Sequence, residues 1–199
     1  MAKQLRIGEN LRIDPPEEIV LVRGAIRKAL GNPGIFLRAN VQGPSAFEVV
    51  LTHTEGLAEE EGGGGIVHLV SAGDWRYWLS VLLEFGVATG AATFKSASMT
   101  IWRSALVTVS PTRILRAEWA TKKDAHAQPH WHVYLAEWER GLSEPATRSM
   151  ERFHLAMTAE WCSAESSHYR EPSAVGVASW FQHCLVYTRR QLESISKRN

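Results

Sequence analysis

Between Arg113 and Trp138 the chain reads RILRAEWATKKDAHAQPHWHVYLAEW, two runs of alternating polarity joined by a ten-residue polar connection. Alternation with a period of two marks a strand with one buried face, and two such runs in succession predict an antiparallel hairpin with a long loop. In the first run Ile114, Arg116 and Glu118 share one face, and Leu115, Ala117 and Trp119 the other. In the second, His130, His132 and Tyr134 oppose Trp131, Val133 and Leu135. Side chains directly opposite one another in a hairpin point the same way. Matching apolar face to apolar face therefore sets Glu118 beside His130 and Arg116 beside His132. One side of the hairpin becomes core. The other gathers Arg116, Glu118, His130, His132 and Tyr134.

The rest of the chain supplies the cover for such a sheet. At 199 residues, 45% hydrophobic and 22% charged, it has the composition of one globular domain spanning residues 1–199. Asp14-Pro15-Pro16 opens a helix, with Asp14 as cap and proline in the first turn, where its missing N–H costs nothing. Ile19, Val22, Ile26 and Leu30 then recur at helical spacing until Gly31 stops it. Ile35–Gln42 and Ala46–His53 are expected as strands around the turn Gly43-Pro44-Ser45. Glu55–Gly65, with four consecutive glycines, lacks the Gly-Lys-Ser/Thr of a phosphate-cradling loop and is expected as a surface loop. A strand is expected at Ile66–Val70. A helix capped by Asp74 is expected next, with Trp75, Trp78, Leu79 and Leu82 facing inward. Thr93–Trp102 and Ala105–Val109 are expected to be extended. Two C-terminal helices follow, one carrying the stripe Met150, Phe153, Met157 and Trp161. The other is capped by Ser173, with Val177, Phe181, Cys184, Leu185, Leu192 and Ile195 inward. This order predicts the α+β class, an antiparallel sheet covered by helices.

Composition excludes some functions. Net charge is +1, so the whole molecule is not an electrostatic nucleic-acid binder, although Thr93–Lys123 holds six basic residues and one acidic one. Cys162 and Cys184 form no short metal pair and read as free thiols of a reducing compartment. The first ten residues are polar, with no apolar leader core, and no apolar run approaches the roughly 20 residues of a membrane helix. A cytoplasmic protein without membrane attachment is expected.

The polar face of the hairpin is the constellation with chemical content. A carboxylate or neutral imidazole can take the proton from a ribose 2′-hydroxyl, a second imidazole can protonate the leaving oxygen, and an arginine with a tyrosine hydroxyl can steady the charged phosphorane. On this reading Glu118 or His132 is the base, His130 the acid, and Arg116 and Tyr134 hold the phosphate. Lys122 and Lys123 in the adjoining loop would hold RNA. The cast resembles that of small microbial ribonucleases in side-chain roles, without a shared sequence motif. A metal centre at His130-x-His132 with Glu118 comes next. The spacing His126-x-x-x-His130 is broken by Pro129, and no further ligand pattern follows. The sequence therefore assigns neither metal nor cofactor. The leading expectation is a binding or assembly protein, joined to a protein partner or to a second copy of itself. Its working surface would be the polar face, and the surplus of tryptophans, eight in all with Trp138 and Trp180 unused by the expected core, would supply the anchors. Metal-independent RNA cleavage at the same face is the alternative.

Overall fold

The computed structural model describes residues 5–7, 11–31, 35–43, 45–53, 65–72, 74–105, 111–121, 129–134 and 173–196. In chain order its elements are β1 (Leu5–Ile7), β2 (Leu11–Ile13), α1 (Glu17–Leu30), β3 (Ile35–Gly43), β4 (Ala46–His53) and β5 (Val67–Ala72). Then follow β6 (Trp75–Ala88), β7 (Ala91–Ala105), β8 (Thr112–Ala120), β9 (His130–Val133) and α2 (Ala174–Ser196). Strands β1 and β2 form a small antiparallel ribbon. The other seven make one antiparallel sheet in the order β3-β4-β6-β7-β8-β9, with β5 also paired to β6. The chain is of the α+β class, as its element order predicts.

The long β6–β7 hairpin is the spine of this sheet. Its two-residue turn, Thr89-Gly90, carries positive φ at both positions, 53° and 81°, a backbone twist that suits the right-handed twist of the strands on either side. Strand β6 is 14 residues long, so its far edge accommodates β5 along Trp75–Leu79 and β4 along Leu82–Gly86. The helix expected from Asp74 onward is therefore corrected to a strand. Trp75, Trp78, Leu79 and Leu82 fall at helical spacing only because β6 is apolar on both faces. Tyr77, Leu79, Val81, Leu83 and Phe85 are buried on one side, and Trp78 and Ser80 on the other. A strand covered on both sides shows no alternation to read.

The first of these faces is the main core. Phe47, Val49 and Leu51 from β4, Ala97, Met99 and Ile101 from β7, and Leu115, Ala117 and Trp119 from β8 complete it with the residues of β6. Ile19, Val22 and Ile26 of α1 and Val177, Phe181, Cys184, Leu185 and Leu192 of α2 cover it. These are the inward sets expected from helical spacing, except that Leu30 is only partly buried and that the side chain of Ile195 lies outside the described residues. The cap position of helix α1 is Pro16 rather than Asp14, with no side-chain cap, and its first turn carries Glu17 and Glu18, which suit the positive end of the helix dipole. Gly31 ends it in the left-handed conformation, its N–H donating to the carbonyl of Arg27 at 2.9 Å. Ser173 Oγ accepts from the N–H of Gly176 at 3.0 Å, the expected cap of α2. Arg189 of α2 donates to the carbonyl of Ala29 at 3.1 Å, satisfying an end-of-helix acceptor and tying the two helices together. Neither described helix is long and apolar enough to cross a membrane.

Trp180 requires a second correction. It is 1% exposed, and its ring meets Trp119 edge-on at 5.9 Å and Phe181 at 5.0 Å. It is a core residue where the helix covers the sheet, not a surface anchor. Trp138, Lys122, Lys123 and the Met150–Trp161 stripe lie outside the described residues.

Candidate functional site

The opposite face of the sheet carries the polar constellation. Strand β8 pairs with β9 in the register Leu115↔Val133, Arg116↔His132, Ala117↔Trp131 and Glu118↔His130. That is the pairing expected from matching the apolar faces. Ala117 and Leu115 are fully buried and Trp131 and Val133 pack against the core, so the odd-numbered residues fix which side the even-numbered ones occupy. Arg116, Glu118, His130 and His132 thus come together.

Their contacts form a chain. The Arg116 guanidinium lies 3.1 Å from Glu118 Oε2, and His132 Nε2 lies 3.5 Å from the same oxygen. His132 Nε2 and His130 Nε2 meet at 2.8 Å, with the two rings edge to face. One of these nitrogens donates and the other accepts, so the pair shares a single proton along that line when both rings are neutral. The side chains are partly exposed, 31% for Arg116, 22% for Glu118 and 41% for His132. Loss of solvation lowers the pKa of His132 below the ordinary histidine value, and His130 and Arg116 push it the same way, while Glu118 opposes them. The ring is therefore held toward its neutral form. Tyr134 meets another arginine of the hairpin. Its ring sits 4.3 Å from the guanidinium carbon of Arg113, which also approaches Trp102 at 6.0 Å. Tyr134 is thereby tied to a cation that sequence reasoning did not select.

No protein-family model, curated protein or solved structure matches the chain. Function must be read from the geometry itself.

A cavity of about 550 Å³ opens beside this chain of contacts. Its lining includes Glu118 and adds Glu48, Glu84, Lys95, Ser96 and Thr121. Glu48 and Glu84 are direct cross-strand partners on β4 and β6. Asn40 Nδ2 donates to Glu48 at 3.3 Å, and the Ser96 hydroxyl donates to Glu84. Lys95 sits at an irregularity in the β6–β7 pairing, and its chain crosses Gly86 so closely that a Cβ there would stand 2.7 Å from its Cε. Glycine is the residue that lets the lysine lie over the strand. Further along the same face Trp78 and Trp102 are cross-strand partners, their indole N–H groups donating to Ser104 and Ser80, each at 2.9 Å. This exchange satisfies one buried and one half-buried polar handle inside the sheet face.

Glu48, Glu84 and Ser96 were missed by sequence reasoning, and Lys95 was counted only as part of the basic stretch Thr93–Lys123. No local signal marks them. Glu84 joins Glu118 only once residues 75–88 are a strand paired to β7.

Proposed function

We propose that the protein is a binding protein whose working surface is the polar face of the sheet, and that its groove takes a small ligand bearing positively charged amino groups. The observation that carries this reading is the groove lining: among the described residues, Glu48, Glu84 and Glu118 line a cavity to which one basic side chain, Lys95, contributes. The volume lies within the roughly 300–1,000 Å³ usual for small-molecule sites. Like charges directly opposite on neighbouring strands are unfavourable for the fold by roughly 0.2–1 kcal/mol. A Glu48–Glu84 pair therefore costs stability, and a cationic ligand between the two carboxylates would relieve that repulsion.

A protein partner drew its support from Trp138 and Trp180; with Trp180 in the core, the polar groove has the stronger support. Metal-independent RNA cleavage keeps one favourable observation, the chain linking Arg116, Glu118, His132 and His130. Against it stand the Glu118 carboxylate beside His132, which repels a phosphate backbone, and imidazole nitrogens, 2.8 Å apart, too close together to flank a scissile phosphate.

Calorimetric titration with spermidine, putrescine and a neutral diol of similar length tests the reading. The amines are expected to bind at one site and the diol not to bind. Glu84→Gln and Glu48→Gln are expected to weaken the amines at least tenfold without lowering the melting temperature. Absence of amine binding, or binding that ignores both substitutions, would overturn it. Cleavage of labelled RNA by chelator-treated protein, lost in His130→Ala, would favour the enzyme, and co-elution with a second copy on native mass spectrometry would favour assembly.

A further inference from the structure

The histidine pair and Glu118 turn their ring nitrogens and carboxylate oxygen toward one common point. The groups come from two adjacent strands: Glu118 from β8, and His130 and His132 two positions apart on one face of β9. Their candidate donor atoms all lie within 4.8 Å of one another, with His130 Nε2 to His132 Nε2 at 2.8 Å and His132 Nε2 to Glu118 Oε2 at 3.5 Å. Zinc bonds of about 2.0–2.1 Å in a tetrahedral shell set neighbouring ligand atoms roughly 3.3 Å apart. The two separations, 2.8 and 3.5 Å, bracket that spacing. Among the described residues no other group of three histidine, cysteine or carboxylate side chains meets in this way.

We propose that Glu118, His130 and His132 form a binding site for one divalent ion of the zinc class, with a fourth position left to water or ligand. Two imidazole nitrogens and one carboxylate oxygen suit a borderline metal such as Zn²⁺ rather than Ca²⁺ or Mg²⁺, which favour oxygen shells. Pairing holds the backbones of all three residues, so few strand torsions need change on binding. Arg116, 3.1 Å from the Glu118 carboxylate, orients the oxygen-bearing ligand from outside the shell. An ion between the two imidazoles would replace the present nitrogen–nitrogen contact. Glu118 also lines the groove, so the open position of the metal would lie on the surface assigned above to ligand binding. The site does not depend on the amine reading, because Glu48 and Glu84 take no part in it.

The full chain, freed of metal by a chelator and then of the chelator, is titrated with Co²⁺ and with Zn²⁺. One equivalent of Co²⁺ is expected to give the visible bands of a low-coordinate ion, and Zn²⁺ to displace it. His132→Ala and His130→Ala are each expected to weaken Zn²⁺ by at least a hundredfold, while Glu84→Gln leaves it unchanged. The unmodified protein supplies a second measurement that does not rest on the folding of a histidine variant. The ring-nitrogen signals of His130 and His132, and of no other histidine among the eight, are expected to shift together at one equivalent of Zn²⁺. Binding retained in both variants, shifts in other histidines, or no binding would each overturn the site. Zinc binding without amine binding would leave the metal site standing and remove the groove reading; the reverse result would do the opposite.

Discussion

Trp180→Ala separates a core tryptophan from an interface anchor, and the structure sets the size of the effect. The side chain is 1% exposed and touches Trp119 and Phe181 edge-on. Truncating a buried tryptophan removes its transfer free energy and leaves a cavity that the surroundings fill only in part, a cost of about 3–5 kcal/mol. That is a large share of a typical folding free energy of roughly 5–15 kcal/mol. For a chain of this size, with roughly 2–4 °C per kcal/mol, the melting temperature should fall by about 6–20 °C. Urea unfolding followed by far-ultraviolet circular dichroism reads the same quantity, as a midpoint lowered by at least about 1 M with an unchanged slope. Trp180→Phe keeps most of the apolar contact and should cost less than the alanine. A surface anchor would instead leave stability within about 0.5 kcal/mol. A Trp180→Ala protein that melts within 2 °C of the unmodified one would refute the burial of Trp180 against Trp119 of β8.

Three further expectations follow from the geometry. The Tyr134 N–H donates to the Ile114 carbonyl at 3.0 Å, which makes Ala117–Trp131 a narrow, non-hydrogen-bonded pair with Cα atoms near 4.5 Å. A strong Hα–Hα nuclear Overhauser effect between these two residues is expected, and one from Ala117 to His130 or His132 instead would mean a slipped register. In metal-free protein the His132 ring should titrate by nuclear magnetic resonance below the ordinary 6.5, lower still in Glu118→Gln and higher in Arg116→Leu. Because the folded-state value is the depressed one, its contribution to stability is fully present above pH 6.5 and is lost as pH falls through that lower value; a His132 that titrates above 6.5 contradicts the account. Burial holds the Cys184 thiol well above its usual pKa, so thiol reagents at pH 8 should leave the Cys184 peptide unlabelled by mass spectrometry until denaturant is added. Labelling at the rate of the unfolded chain would place Cys184 outside the core.

How far the sequence could be read depended on whether an element buries one face or two. Strands β8 and β9 bury one face, so their alternation yields both the strands and the Glu118–His130 register. Helix α1 was legible for the same reason: its apolar stripe is single and its stop is a glycine. Strand β6 defeats periodicity because Trp78 and Ser80 are buried behind Leu79 and Val81. The cue that remains is the two-residue Thr89-Gly90 turn, which joins it to a run already extended. Misreading β6 also hid Glu84, and with it the acidic groove, since that site exists only where β4, β6, β7 and β8 lie side by side. The surplus of tryptophans misled in a different way. Count alone cannot distinguish a ring that covers a sheet, as Trp180 does, from one that awaits a partner.

The most direct measurement of the central claim, that the polar face is the working surface, is a titration of ¹⁵N-labelled protein with spermidine followed by backbone amide shifts. The account predicts that the largest shifts cluster at Glu48, Glu84, Ser96, Glu118 and Thr121, saturate with one affinity, and need at least tenfold more spermidine in Glu84→Gln. Shifts scattered over the surface, or gathered on α1 and α2, would contradict it.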